Sequence, residues 1–207
     1  MSSPTQPIRP LDERYLDPDP FVQFVAWLDG ARIAGVHEPE AMTLATASPA
    51  GDPSARMVLL RGWGADGFVF FSNYESRKAG ELDANPRAAL VLHWALIGRQ
   101  IRIEGAVART TDAESDAYFA TRERGSQISA WASAQSRIIP DRVALEQEVA
   151  DLTQRFGDAL VPRPPNWGGY RLMPSSFEFW QHAANRLHDR FRYTPDGDGW
   201  HMERLAP

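Results

Sequence analysis

Residues 41–72 read AMTLATAS-PAGDP-SARMVLLRG-W-GADG-FVFFS. Three apolar runs are separated only by turn chemistry: Pro49, Gly51, Asp52 and Pro53 in the first gap, Gly64, Asp66 and Gly67 in the second. Neither gap is long enough for a helical crossover, so strands over 41–48, 54–62 and 67–72 are expected to pair as antiparallel neighbours. The third run is apolar on both faces, as a covered strand must be.

The same logic extends outward. Phe21, Phe24, Val25, Leu28 and Ile33 recur at near-helical spacing and predict an amphipathic helix over 20–35. A short helix over 75–84 stops at Asn85-Pro86. Strands over 87–94 and 99–109 pair through a loop at Gly98. Helices follow over 111–121, 126–134 and 140–156. In the last, Pro140 is placed near the first helical position, Asp141 in the first turn, and Val143, Leu145, Val149 and Leu152 on one stripe. A linker from Pro162 to Pro165 leads to strands over 168–173, 175–182, 186–193 and 199–204. The expected fold class is α+β, mainly antiparallel β, with helices packed outside a sheet or barrel. Residues 1–19, Pro-rich and polar, are expected to form a flexible arm ahead of one domain over 20–207.

The 207 residues suit a single domain with a real core, and 43% hydrophobic with 24% charged residues is ordinary globular composition. A net charge of −5 gives no reason to expect nucleic-acid binding. No stretch approaches the ~20 apolar residues that cross a bilayer, and no secretory h-region is present, so the expected location is cytoplasmic. Absence of Cys excludes disulfides and thiolate catalysis. Of 22 basic residues one alone, Lys78, is lysine, so Schiff-base chemistry would have to use it. The five His show no metal spacing, and no metal site is expected. P-loop, Gly-rich dinucleotide and nucleophile-elbow motifs are missing.

Three polar groups stand out. On a strand, Arg186, His188 and Arg190 share a face, with Phe179 and Trp180 upstream as a flat wall; this is either a solvated strand edge or a site for a planar, phosphorylated ligand. Arg77 and Lys78 open a helix, where free N–H groups favour an anion; they form a phosphate cradle or are simply exposed on the first turn. Arg56 and Arg61, five apart, fall on opposite faces unless a bulge intervenes. On a helix, Tyr118 and Arg122 are i,i+4 with Ser126 one turn on, which is either a solvent-facing stripe or a second phosphate or carboxylate site.

From about residue 20 to Pro207 the chain resembles the FMN-dependent pyridoxine (pyridoxamine) 5′-phosphate oxidases. The resemblance is carried by Arg56-Met-Val-Leu-Leu-Arg61, Asn73-Tyr-Glu-Ser-Arg77-Lys78, Gly98-Arg-Gln100, Ser126-Gln-Ile-Ser-Ala-Trp131-Ala-Ser-Ala-Gln135-Ser136, Trp167-Gly-Gly-Tyr170-Arg, Phe177-Glu-Phe-Trp180-Gln and Arg186-Leu-His188-Asp-Arg190-Phe. It implies a split β-barrel homodimer with FMN in clefts between subunits. It also implies that Arg56, Met57, Val58, Leu59, Phe71, Ser72, Arg77 and Lys78 hold FMN, with Gln100, Gln135, Ser136, Trp180 and Arg190 as further flavin contacts, some across the dimer. Arg61, Tyr118, Arg122 and Ser126 resemble the substrate-phosphate clamp, and Arg186 and His188 the residues beside the substrate ring. The implied reaction oxidises a phosphorylated B6 vitamer to pyridoxal 5′-phosphate and passes the electrons to O₂, giving H₂O₂.

Three positions depart from the family pattern. Arg61 replaces the usual Lys, Phe71-Ser72 the usual Tyr-Thr, and His182-Ala-Ala-Asn185 the usual Gly-Gly-Glu type loop. The alternatives are an oxidase of another aromatic substrate on the same scaffold, of the phenazine-pathway type, or a non-catalytic flavin- or vitamer-binding protein.

Overall fold

The computed structural model describes residues 10–207. Among them, nine strands form one antiparallel sheet: β1 (Ala41–Ala47), β2 (Pro53–Leu59), β3 (Gly62–Gly64), β4 (Gly67–Asn73), β5 (Arg87–Trp94), β6 (Arg99–Arg109), β7 (Trp167–Gln181), β8 (Asp189–Asp196) and β9 (Gly199–Leu205). Five α-helices surround it: α1 (Pro20–Ile33), α2 (Arg77–Ala84), α3 (Asp112–Ala120), α4 (Arg124–Ala132) and α5 (Arg142–Phe156). The lateral order is β2-β1-β5-β6-β7-β4-β3, with β8 and β9 continuing from β7. This is the expected α+β, mainly antiparallel split barrel with peripheral helices.

Strand β7 is the corner of the barrel. Its first part, from Trp167 to Leu172, pairs with β4, and its last part, from Phe177 to Gln181, pairs with β8. Strand β6 runs alongside both, and the register shifts in the middle: Glu104 faces Ser176 while Gly105 faces Pro174, leaving Ser175 extra. The bulge accommodates a proline that has no N–H for the ladder. A Cβ on Gly105 would lie 2.0 Å from the Met173 carbonyl oxygen, so only glycine permits this approach. Two strands were expected over 168–173 and 175–182; the chain forms one, because Pro174 marks a bend rather than an end.

Beyond the bend, alternation decides what is core. Phe177, Phe179, Phe191 and Tyr193 are fully buried, each apolar ring contributing about 1.5–3 kcal/mol. Phe179 meets Trp27 and Tyr193 edge-on. Trp180, its neighbour in the strand, points the other way. The expected wall of Phe179 plus Trp180 is therefore corrected to Trp180 alone.

Helix α1 starts at Asp19, whose carboxylate accepts the Phe21 N–H at 2.8 Å, with Pro20 in the first turn. It buries Phe24, Trp27, Leu28 and Ala31, whereas Val25 and Ile33, expected on that face, are exposed. In α5, Asp141 is the N-cap and accepts from Ala144 N at 2.8 Å, so Pro140 precedes the helix. Val143 is exposed, and the packed residues Val149, Leu152 and Phe156 face a second small core around Phe119, Ile128 and Trp167.

Two segments differ from expectation. Of the predicted arm, residues 1–9 lie outside the described residues, but its later part is tied to the body. Leu11 N–H donates to Asp189 Oδ2 at 2.8 Å, Tyr193 OH donates to the Asp17 carbonyl at 2.9 Å, and Leu16 is buried. The strand expected from residue 186 starts only at Asp189. Ala184–Arg186 is a 3-10 turn in which Asn185 and Arg186 have φ of 56° and 62°. The shared face of Arg186, His188 and Arg190 is therefore lost: the chain reverses through left-handed residues, a conformation costing a non-glycine residue about 1–2 kcal/mol.

Candidate active site

A cavity of about 710 Å³ opens where the edge strand β2 faces β4 across the split in the barrel. Met57, Val58 and Leu59 line it from β2, and Phe71, Ser72 and Asn73 from β4. Between these strands the chain bends: Leu60 N–H donates to Glu40 O at 2.9 Å and Arg61 N–H to Val69 O at 2.8 Å. Pairing switches partner at that bend, so the strand-parity expectation for Arg56 and Arg61 does not apply. Arg61 lines the cavity; Arg56 lies behind its wall.

Lys78 enters from the first turn of α2, and Gln135 from the loop after α4. Tyr118, Arg122 and Ser126 also line the cavity, but not as an i,i+4 helical stripe. Helix α3 ends at Ala120 with Thr121 as its cap, so Arg122 sits in the corner before α4, which begins at Arg124. The corner brings the three together where a straight helix would have spread them. Arg122 donates to the Ser126 backbone carbonyl at 3.0 Å and stands 4.7 Å over the Trp167 ring. Tyr118 stacks on Phe71 at 3.9 Å and 16°, and Phe71 on Trp167 at 5.4 Å and 9°. Together they make a flat aromatic wall.

The electrostatics are one-sided. Arg61, Lys78 and Arg122 face the cavity, and Glu123 is the one carboxylate among the lining residues. Lys78 is buried, yet its ammonium has neutral partners: Gln135 Oε1 at 2.6 Å, Ser72 Oγ at 3.0 Å and Ser76 Oγ at 3.3 Å. Burial, helped by nearby Arg56, pushes its pKa down to about 8. Burial likewise lowers the pKa of Arg122. Desolvated cations without carboxylates are costly, and an anion is the ligand that offsets the cost.

Behind this wall Glu81 of α2 gathers the remaining two basic residues. Arg77 Nε donates to its Oε1 at 2.8 Å and Arg56 Nη2 to its Oε2 at 3.3 Å. Neither arginine lines the cavity, so of the phosphate cradle read from the helix start Lys78 reaches the cavity wall and Arg77 is turned aside to Glu81.

A second group lies elsewhere on the sheet. Gln100, Trp180 and Arg190 are direct cross-strand partners on β6, β7 and β8. Arg190 donates to both carboxylate oxygens of buried Glu178, at 2.9 and 3.1 Å, and to the Ala206 carbonyl at 2.8 Å. The His188 ring lies 4.7 Å from that of Trp180, and its Nδ1 accepts the Ala183 N–H at 3.1 Å. Arg186 is exposed on the strained turn, and Ser136 is exposed with φ of 72°. None of these six residues lines the large cavity. The sequence reading passed over Asn73 and Trp167 as site residues, although both stood within quoted motifs. It also passed over Glu81, which carries no signal before folding places it, and His182, whose ring is 5.2 Å from His188. Among the described residues no helix is long and apolar enough to cross a membrane, and no cluster of His, Asp or Glu could hold a metal.

Comparison with known proteins shows the family. Residues 28–156 match the family model described as pyridoxamine 5′-phosphate oxidase, and residues 167–207 that of the pyridoxine 5′-phosphate oxidase C-terminal dimerisation region. A pyridoxine/pyridoxamine 5′-phosphate oxidase of Rubrobacter xylanophilus is 54% identical over 197 residues, 95% of this chain and 91% of that one. Its counterpart in Bordetella avium is 57% identical over 189 residues, 91% and 89%. Among solved structures, PhzG from Burkholderia lata, in complex with tetrahydrophenazine-1-carboxylic acid, superposes with a TM-score of 0.90 at 35% identity, covering 98% of this chain and 100% of that one. The sheet and these matches show that the chain belongs to the pyridoxamine 5′-phosphate oxidase family of oxidoreductases.

Proposed function

We propose that the protein oxidises pyridoxine 5′-phosphate and pyridoxamine 5′-phosphate to pyridoxal 5′-phosphate, with FMN as cofactor and O₂ as the acceptor that leaves as H₂O₂. The observation that carries this reading is one cavity that combines a stacked aromatic wall with three cations, Arg61, Lys78 and Arg122, none of which forms an ion pair among the described residues. Its volume falls within the usual range for a bound small ligand, about 300–1,000 Å³. The buried, carboxylate-free ammonium of Lys78 fits an FMN phosphate, with Ser72, Gln135 and the start of α2 beside it. Arg56 and Arg77, which stand behind the cavity wall, add positive charge beside Lys78 and would have to turn a free edge toward that phosphate, while Met57, Val58, Leu59 and Phe71 line the space beyond.

Arg61, Tyr118, Arg122 and Ser126 clamp the substrate phosphate and so orient the reacting carbon. When bound, FMN supplies the hydride acceptor and hands the electrons to O₂. Arg186 covers the substrate ring, and His188 bonds a ring substituent. Because Nδ1 of His188 accepts a backbone N–H, the neutral ring carries its proton on Nε2, which is left as a donor. With the amine vitamer, water hydrolyses the resulting imine to aldehyde and ammonia.

Gln100, Ser136, Trp180, Arg186, His188 and Arg190 do not line the cavity of their own subunit. In this reading the protein is a homodimer in which a second copy brings such residues to the flavin. The match to a dimerisation region over 167–207 supports it. A single domain over 20–207 and a cytoplasmic location belong to the same reading.

The visible spectrum of the purified protein tests it. Oxidised-flavin bands that bleach anaerobically on adding pyridoxine 5′-phosphate are expected; a colourless protein that takes up no FMN would overturn it. A second reading, a carboxylated aromatic substrate, is favoured by the likeness to PhzG. Bleaching by tetrahydrophenazine-1-carboxylic acid and not by the vitamer would establish that reading instead.

A further inference from the structure

We infer that Glu81 is a positioning residue that assembles the cofactor-phosphate grip before the phosphate arrives; this rests on the reading of Arg56, Arg77 and Lys78 as FMN phosphate ligands. Glu81 is 7% exposed and is not among the residues that line the cavity. Its Oε2 accepts from Thr46 Oγ1 at 2.5 Å, Ser54 Oγ at 2.6 Å and Arg56 Nη2 at 3.3 Å, and its Oε1 from Arg77 Nε at 2.8 Å. One carboxylate thus binds α2 to β1 and β2, the helix and edge strand that wall the cavity.

It does so asymmetrically. Arg77 gives Glu81 its Nε and keeps both terminal nitrogens without a partner among the described residues. Arg56 gives up its terminal nitrogens, Nη1 to Leu44 O at 3.3 Å and Thr46 Oγ1 at 2.5 Å, Nη2 to Ser54 and Glu81, and keeps Nε. Each guanidinium is held by one edge and presents the other. Charge follows the same logic. Arg56, Arg77 and Lys78 repel one another, and Arg56 already disfavours the Lys78 ammonium. A buried carboxylate between the two arginines offsets that repulsion, so the cations stay together in the absence of ligand. Burial alone would raise the Glu81 carboxyl, but hydrogen bonds from Ser54, Thr46, Arg77 and Arg56 outweigh it and bring it down to about 2, so the charge persists at any working pH.

Paired flavin titrations separate this role from a merely structural one. FMN and riboflavin share the ring and ribityl chain; FMN alone has the phosphate. Glu81→Ala is expected to raise the FMN dissociation constant at least tenfold and the riboflavin constant less than twofold. Glu81→Gln, which keeps the shape and some acceptor capacity, should fall between and covers the case in which the alanine variant does not fold. Unchanged FMN affinity in the glutamine and alanine variants would overturn the inference, and so would equal losses for both flavins. A parent protein that binds both flavins alike, or neither, sinks the cofactor reading and this inference with it.

Discussion

The ammonium of Lys78 lies 2.6 Å from the amide oxygen of Gln135, 57 residues further along the chain. This contact joins the start of α2 to the loop after α4 and closes one end of the cavity. It leaves the charge of Lys78 solvated by an amide and two hydroxyls rather than neutralised by a carboxylate. A phosphate is the partner proposed for it.

Lys78→Ala is expected to weaken FMN binding by ~1–3 kcal/mol, the scale of one charge-assisted hydrogen bond. Quenching of flavin fluorescence on titration measures it; an unchanged dissociation constant would remove Lys78 from the phosphate site.

The depressed pKa of Lys78 carries a sign. An unfolded lysine keeps its proton to about 10.4. Between pH 8 and that value the unfolded chain binds more protons than the folded one. Stability of the cofactor-free protein should therefore rise across this window, by up to ~3 kcal/mol, and the penalty should be fully present below pH 8. FMN affinity should run the opposite way, falling as pH rises above 8. Lys78→Met should flatten both profiles; thermal melts and titrations at pH 7 and 9.5 decide the matter.

Arg122→Ala and Arg186→Ala should separate substrate from cofactor. Each is expected to raise KM for pyridoxine 5′-phosphate by ~10–100-fold while leaving the bound-flavin spectrum intact, since hydrogen bonds to a charged group are worth about 1.5–3 kcal/mol. Loss of flavin in Arg186→Ala would mean that the two sites are exchanged.

Phe179 and Trp180 are sequence neighbours with opposite tasks. Phe179→Ala should cost about 3–5 kcal/mol of stability, because the ring is fully enclosed. Trp180→Ala should leave the melting temperature within a few degrees of the parent and weaken flavin binding instead. A large stability loss in the second variant would place Trp180 in the core.

A two-copy site predicts complementation. Mixed refolding of Lys78→Met with Arg190→Ala, assayed at an FMN concentration too low to load either variant alone, should restore about a quarter of parental activity, since half the dimers are mixed and each has one intact site. Two inactive variants that remain inactive after mixing would confine the site to one subunit.

Periodicity places α1 and most strands within a residue or two, because alternation and turn chemistry are local; the exceptions are the run over 54–62, which breaks after Leu59 and resumes as β3, and the strand expected from 186, which begins at Asp189. It could not tell that Pro174 bends β7 instead of ending it, since that depends on the ladder with β6, which continues on both sides of the bulge. Tyr118 and Arg122 were grouped correctly for the wrong reason: the turn after Ala120, rather than a helical face, brings them together.

Composition, turn spacing and motif order by themselves determined an antiparallel α+β barrel, a family, and which residues carry charge. All of that is encoded in neighbours along the chain. Only the tertiary structure decided which cations share a cavity, that Arg56 and Arg77 are held from behind by Glu81, and which of Phe179 and Trp180 faces the core. Those facts arise when strands far apart in sequence come into register, and burial then makes each unpaired charge costly.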